Sequence, residues 1–428
     1  MTRPVPRAGA RHRPGAPEAQ TGPAAAAGQG GQRRAVRFLR WYLCAVAVVA
    51  PLKFGSIIGP SEIPLFPADF LEWVFGVWPP FLLGVLGGIG LGWALLACPG
   101  SLLRHPARLA LWAWGALLVS CAPGLIRTTE WDYAVTFVLY LAGVCAYLAA
   151  AMLAAAADPA FRRNLWVAIA IGTLASGLLG WYQRLWGFEE MRRFAEMQAL
   201  QTGREWSAAM QGKFLQTRVH RPFFHPNSYA AHLVLTGPLV LLALWRAGRR
   251  FEPQRVSQPA FVAAGVVVVF GALVLSGSRA AQLALGAGMG LAVLVCRPLR
   301  RWRWPLLAGA LVGGLALMLV VNSGRDLLSA SARFDYYRAA CVMFGQRPLT
   351  GVGLGEYLSA YLRIKPAAAE ETRAAHNMVL EMLSQTGLAG GLAAMGCVLL
   401  PLWLGFRRQG AVAEDELLTL ATVAGLGA

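Results

Sequence analysis

A histidine followed by an asparagine, His376-Asn377, stands where a polar stretch meets an apolar segment near the end of the chain. The residues that follow have helical character, so the imidazole is expected at a helix N-terminus, on one face with Leu380 and Leu383. A helix N-terminus attracts anions, and its dipole favours a neutral imidazole that could act as a general base. An interfacial histidine that only caps a helix would give the same pattern.

The same helix is predicted to carry a polar stripe beside the histidine. Asn377, Glu381 and Gln385 recur at every fourth position, which places them on one face. The stripe would order polar groups next to the imidazole.

Arginines occur in two other polar stretches. Arg218 and Arg221 lie in the segment RVHRPFFHPN, and Arg279 follows Ser-Gly-Ser in a turn between two apolar segments. Guanidinium groups match phosphate oxygens, and an ionisable residue at a membrane edge is a functional candidate. Snorkelling to lipid headgroups or pairing with a carboxylate would explain each arginine equally well. Together with His376, the arginines suggest chemistry on a lipid-linked anionic substrate.

Two further motifs have sufficient structural explanations. In His225-Pro226-Asn227, proline suits the head of a helix and asparagine suits its cap. The glycines from Gly351 to Gly355 do not form a dinucleotide fingerprint, because no strand precedes them; they predict a flexible turn.

The composition indicates a membrane protein. The chain is 57% hydrophobic and 14% charged, with a mean hydropathy of +0.50. Soluble domains carry about 25% charged residues, and a spanning helix needs about 20 apolar residues. We predict an all-α, polytopic bundle of about 10 to 12 spans. The apolar segments are 38–58, 79–98, 109–126, 134–157, 165–183, 228–245, 259–276, 280–296, 305–321 and 387–406. Residues 417–428 begin another apolar segment, which is expected to be incomplete.

Charge sets the predicted orientation. Residues 1–36 predict a disordered basic tail in the cytoplasm, and residues 37–428 a single transmembrane domain. With the tail inside, every short inner loop carries at least two arginines, as the positive-inside rule requires. The net charge of +18 is split among such loops, so nucleic acid is not an expected partner.

Two long segments then lie outside, at about 184–227 and 322–376. They are predicted to contain short amphipathic helices, since Met191, Phe194 and Met197 recur at helical spacing. His376 and the arginines at 218, 221 and 279 all fall on this outer side, which makes it the expected active-site region.

The seven cysteines show no spacing typical of a metal site, and most lie in apolar segments. No Walker motif, zinc spacing or Ser-His-Asp order is present. The residues therefore give no reason to expect a cofactor, a metal or a disulfide framework.

Four segments together resemble the O-antigen ligase and O-antigen polymerase superfamily of bacterial inner-membrane glycan transferases. Arg218–Asn227 is similar to the family pattern Arg-x-x-Gly-x-Phe-x-x-Pro-Asn, and Ser276–Arg279 to its Ser-Arg turn. Arg333–Gly355 resembles the stretch that ends Pro-Leu-x-Gly-x-Gly, and His376–Gly387 resembles His-Asn-x-x-Leu-Glu…Gly.

The chain departs from the family pattern at two positions. Arg221 replaces a usual glycine, and Gln385 stands where a second glutamate is common. Neither removes the core residues, although Arg221 alters the expected phosphate pocket.

The resemblance implies transfer of a glycan from undecaprenyl diphosphate to an acceptor hydroxyl, without metal or cofactor, at the periplasmic side of the inner membrane. It implies that His376 takes the acceptor proton and that arginines stabilise the diphosphate. These are Arg218 and Arg279, with Arg221 or Arg333. Asn227, Asn377 and Glu381 would support the site.

The leading hypothesis is an O-antigen ligase whose acceptor is lipid A–core. An O-antigen or exopolysaccharide polymerase and a protein O-oligosaccharyltransferase would use the same chemistry on other acceptors. A transporter of anionic solutes is a different class, but it predicts ionisable residues near the membrane midplane. Here they cluster at the outer edge. Membrane lipids are the remaining expected partners.

Overall fold

The computed structural model describes residues 23–55, 69–98, 102, 108–158, 160–203, 217–251, 257–295, 304–305, 308–309, 312, 328–367 and 369–407. These residues form helices and contain no strand, which confirms the all-α fold class. In chain order the α-helices are α1 Pro23–Lys53, α2 Phe70–Phe75, α3 Phe81–Ala97, α4 Arg108–Val119, α5 Ala122–Leu125, α6 Trp131–Ala157, α7 Ala160–Tyr182, α8 Phe188–Thr202, α9 Pro226–Phe251, α10 Ser257–Gly265, α11 Gly271–Leu275, α12 Arg279–Val295, α13 Leu328–Gln346, α14 Tyr357–Ile364 and α15 Met378–Arg407.

Seven helical stretches in the described part of the chain are long and apolar enough to cross a membrane. They are Gly31–Lys53, Arg108–Leu125, Trp131–Ala157, Ala160–Thr202, Pro226–Arg249, Gln258–Leu275 and Met378–Pro401. Each overlaps a predicted apolar segment, so the protein is a multi-pass membrane protein. The predicted spans at 79–98 and 280–296 correspond to α3 and α12, which have 17 residues each.

Some predictions lie outside the described residues. These are most of the span predicted at 305–321, the apolar segment 417–428 and the tail as far as residue 22. Within the tail predicted to be disordered, residues 23–36 belong to α1. An alanine-rich sequence favours helix even without apolar periodicity.

Two helices differ from their predicted extents. The span predicted at 387–406 begins at Met378 instead, and Gly387, with φ of 77°, kinks the helix where the span was expected to start. The first outer segment does not begin as a loop at residue 184. A π-helical turn, Gln183–Gly187, joins α7 to α8, so that a helix of 43 residues runs from Ala160 to Thr202.

Close packing between α3 and α6 depends on glycines. A Cβ at Gly87 would overlap the carbonyl oxygen of Gly143, and a Cβ at Gly143 would lie 2.6 Å from the Cα of Gly84. Small residues let helices approach closely in lipid, where van der Waals contact drives association. At the start of α7 the ion pair between Arg40 and Asp158 ties this helix pair to α1.

The C-terminal helices position the second outer segment. Helix α15 packs on α4 and α13. Tyrosines of α13 and α14, namely Tyr336, Tyr357 and Tyr361, form a buried cluster with Ala375. The residue before His376 is therefore fixed in a core.

The glycine contact predicts a sharp difference between neighbouring substitutions on α3. Gly87→Leu should lower the free energy of unfolding by about 1–3 kcal/mol, as overpacking does. Gly88→Leu is the matched control, because no atom lies within 4 Å of a Cβ there. Thermal unfolding of both variants in detergent measures the effect, and equal melting temperatures would contradict the described packing.

Candidate functional site

The Ser276–Arg279 turn places an arginine at the start of α12. Gly277 has a φ of 60°, which allows the tight reversal after α11. The Ser276 hydroxyl donates to the Leu273 carbonyl at 2.6 Å and accepts from the Ser278 amide at 3.3 Å. Arg279 is half-buried at a helix N-terminus, which attracts anions.

The structure ties Arg218 to this turn. Its Nε donates to the carbonyl of Ser276 at 2.9 Å, and the Val219 amide donates to the carbonyl of Leu275 at 3.2 Å. The RVHRPFFHPN segment and the Ser-Arg turn are therefore in contact, and Arg218 is hydrogen-bonded to the residue three positions before Arg279.

Asn227 does not cap α9, contrary to the expectation. The helix begins at Pro226, and Asn227 lies in its first turn. The Asn227 Oδ1 instead accepts a hydrogen bond of 2.9 Å from Arg218 Nη2. Proline at the first position has no N–H, so this helix end has one donor fewer to satisfy. Asn227 is therefore available to accept from Arg218.

Gln183 holds the rest of the segment. Its Oε1 accepts from the backbone amides of His220 and Arg221, both at 2.8 Å, and its Nε2 lies 3.0 Å from His220 Nε2. Burial lowers the pKa of His220, and the charge of Arg221 lowers it further. The Arg221 side chain is exposed, so its predicted part in a phosphate pocket stays a prediction.

His376 lies outside the helix rather than on its first turn. Its φ is 54°, a left-handed conformation, and α15 begins at Met378. The expected shared face with Leu380 and Leu383 is therefore wrong. Asn377 takes the capping position, since its Oδ1 accepts from the amides of Val379 at 3.0 Å and Leu380 at 3.1 Å. The placement of the imidazole at a helix N-terminus is confirmed.

The imidazole has two side-chain neighbours in the second outer segment. Its Nε2 lies 3.3 Å from Thr372 Oγ1, and its ring centroid lies 5.7 Å from that of Tyr336. Burial and the charge of Glu370 raise the pKa of Tyr336 to about 12, so this phenol stays protonated and can donate to Glu370.

Charges from both outer segments act on His376. Partial burial lowers its pKa, and the positive charges of Arg333 and His225 lower it further, while Glu370 opposes them. An interaction with His225 requires the end of the first segment to lie near the second. Arg333 and His225 therefore lie within electrostatic range of His376, and His225 is two residues from Asn227.

The polar stripe of α15 anchors the glycine turn. Glu381 accepts from the Ala375 amide and from Gln385 Nε2, and Gln385 Oε1 accepts from the Gly355 amide at 2.5 Å. Val352 and Gly353 also donate to carbonyls of this helix. The turn predicted to be flexible is thus held by hydrogen bonds.

The two outer segments together carry arginines and a histidine whose pKa is lowered. Arg218 is hydrogen-bonded to the turn that carries Arg279, and the charge of Arg333 acts on His376. Among the described residues no group of three His, Cys, Asp or Glu side chains could hold a metal ion. The residues that sequence reasoning missed are Gln183, Tyr336 and Thr372. Of these three residues, only Gln183 stands out in the sequence, as a glutamine at the end of an apolar segment.

Comparison with known proteins gives one family. Residues 264–395 match the family model described as O-antigen ligase. The match includes Arg279, Arg333, His376 and Glu381 and confirms the resemblance to the O-antigen ligase and polymerase superfamily. No curated protein and no solved structure matches the chain. The segment with Arg218 lies outside the match, and its contacts connect it to the matched part.

The hydrogen bonds of Gln183 predict a change in backbone protection. Gln183→Ala removes the acceptor of the His220 and Arg221 amides, so their hydrogen exchange should speed up about tenfold or more. Gln183→Glu is the control, because it keeps an acceptor oxygen. Hydrogen-exchange mass spectrometry of the peptide that contains His220 and Arg221 measures the effect. Unchanged protection in the alanine variant would show that Gln183 does not hold this segment.

Proposed function

We propose that this chain is an O-antigen ligase, because residues 264–395 match the family model described as O-antigen ligase. It transfers polysaccharide from undecaprenyl diphosphate to a hydroxyl of lipid A–core, at the periplasmic face of the inner membrane. The family match supports a glycan-transferring membrane enzyme. We propose the donor, the acceptor and the side of the membrane in addition.

One observation carries the proposal. His376 lies at a helix N-terminus, and its partial burial together with the charge of Arg333 lowers the pKa of its imidazole. A neutral imidazole surrounded by cationic groups is suited to a reaction that takes a proton while negative charge develops nearby.

The free nitrogen of His376 follows from its contact with Thr372. The Thr372 hydroxyl donates to the Ala374 carbonyl at 2.9 Å, so in its 3.3 Å contact with the imidazole it accepts from Nε2–H. The Nδ1 lone pair then remains as the proton acceptor.

The transfer proceeds by a single displacement. Nδ1 of His376 takes the proton of the acceptor hydroxyl as its oxygen bonds to the anomeric carbon of the glycan. The bond from that carbon to the diphosphate oxygen breaks, and the electron pair leaves with undecaprenyl diphosphate. Attack opposite the leaving group inverts the carbon.

Arginines stabilise the departing diphosphate. Arg218 is oriented by Ser276 and Asn227, and Arg279 stands at the N-terminus of α12. Preorganised cationic donors stabilise charge that develops in the transition state, so this step needs no metal. Arg333 adds positive charge near His376. Asn377 caps α15 and Glu381 accepts from the Ala375 amide, so the backbone is held on both sides of His376.

Complementation in vivo tests the function. In a host that lacks its own O-antigen ligase, the wild-type chain should restore the polysaccharide ladder on lipid A–core, and His376→Ala should abolish it. Lipopolysaccharide gels give the readout, and equal membrane expression of the two proteins is the control.

Two other outcomes would each contradict a different part of the proposal. Rescue of a strain lacking the polymerase, but not of the ligase strain, would replace lipid A–core by a second lipid-linked repeat as acceptor. Full activity of His376→Ala would sink the general-base mechanism.

The pH dependence of transfer tests the electrostatics. Activity should fall on acidification as His376 gains a proton, with a midpoint below the ordinary value of about 6.5. Arg333→Gln removes a charge that lowers the pKa of His376, so the midpoint should move to higher pH. Arg338→Gln, an exposed arginine on the same helix, is the matched control. A midpoint that is identical in both variants would contradict the assignment.

A further inference from the structure

A groove with a volume of about 990 Å³ lies between α1, α7 and α9, and none of the candidate site residues lines it. Its walls are mostly aliphatic, with Val48, Ile171 and Leu242 among them. Three arginines, Arg40, Arg163 and Arg246, also line it. A pocket of this size is at the upper end of the range for small-molecule and lipid-like ligands.

The three arginines lie at one end of the groove. Thr173 of α7 is hydrogen-bonded to Thr236 of α9 at 2.9 Å, and these helices run antiparallel. Arg163 is ten residues before Thr173, and Arg246 is ten residues after Thr236. The two arginines therefore lie at the same height along this pair of helices.

Arg40 lies at the same height along the helix bundle. Gly172 of α7 packs against the backbone of Val48 of α1, and these two helices run parallel. Eight residues before Gly172 is Asn164, and eight residues before Val48 is Arg40. The groove is therefore apolar along its length and cationic at one end.

The charge of this end is not balanced by the groove's own walls. Arg40 is paired with Asp158, and among the described residues that line the groove none is acidic. Trp41, which is 73% exposed, and Trp166 flank the arginines. Indole rings favour the headgroup level of a bilayer, which puts the arginines at the depth of lipid phosphates.

The length of the groove matches one leaflet. From Arg163 to Leu174 the wall covers eleven helical steps, or about 16 Å. Half of the hydrocarbon thickness of a bilayer is about 15 Å. Val167 and Ile171 are exposed on the outside of the bundle, so the groove is open to the membrane.

We infer that this groove binds an anionic phospholipid, with its phosphate between Arg163 and Arg246 and an acyl chain along the aliphatic walls. Arginine forks match phosphate oxygens, and a basic pocket between spanning helices is suited to an anionic headgroup. The positive-inside pattern assigns this end to the cytoplasmic leaflet, the side opposite the proposed transfer site. The inference does not depend on the proposed function.

Lipid retention by the full-length chain tests the inference. The protein is exchanged into detergent with phosphatidylglycerol or phosphatidylcholine of identical acyl chains, and bound lipid is counted by native mass spectrometry. The wild type should retain phosphatidylglycerol in preference. Arg163→Gln/Arg246→Gln should lose about tenfold or more of that preference. Arg162→Gln/Arg249→Gln, which alters two exposed arginines beside the groove, should keep it.

A second variant protects the test against misfolding. Ala247→Trp fills the groove near the arginines without a charge change, and it should also release phosphatidylglycerol. Equal selectivity of the two double variants, or full retention by a folded Ala247→Trp protein, would overturn the inference. So would recovery of a polyprenyl phosphate in place of phospholipid, or photocrosslinks from groove positions to another segment of this chain.

Discussion

The hydrogen bond from Arg218 to the carbonyl of Ser276 connects two parts of the chain that lie far apart in sequence. Carbonyls at the end of α11 have no partner within their own helix, and near lipid an unsatisfied backbone group is costly. Arg218 and the amide of Val219 satisfy two of them. The same bond fixes the guanidinium beside Arg279, which leaves a second nitrogen to be oriented by Asn227. The same arginine thus satisfies the end of α11 and contacts Asn227 in the first turn of α9.

Hydropathy and charge predicted the fold class, since bilayer thickness and backbone satisfaction leave few alternatives for long apolar segments. The helical periodicity after Asn377 also predicted the contact between Glu381 and Gln385, because residues four apart meet on any helix. His376 was placed at the correct helix end but in the wrong conformation. Asparagine is a preferred N-cap residue, which favours Asn377 over His376 at that position. The left-handed conformation of His376 goes with contacts on both sides, since Ala375 is buried and its amide donates to the Glu381 carboxylate.

The errors at Asn227 and at the glycine turn come from contacts with residues outside their own local segment. Asn227 has the local signature of a cap, and only its contact with Arg218 reveals another use. The glycines from Gly351 to Gly355 have the composition of a flexible turn. They are nevertheless held against α15 and against the Gly124 carbonyl, which accepts from the Leu354 amide at 3.1 Å. Thr372 and Tyr336 carry no signal at all without the fold, because their role is defined only by nearness to His376.

The 43-residue helix from Ala160 to Thr202 is about 65 Å long, roughly twice the hydrocarbon thickness of a bilayer. A rod of that length acts as a mechanical lever. Its membrane-embedded half is clamped between α1 and α9, while α8 extends past Gln183 with Phe194 and Leu200 exposed. Gln183 sits at the pivot and holds the amides of His220 and Arg221. A displacement of α8 would therefore reach the segment that carries Arg218 by two routes, the hydrogen bonds of Gln183 and the core in which Phe188 packs with Val219 and Phe223.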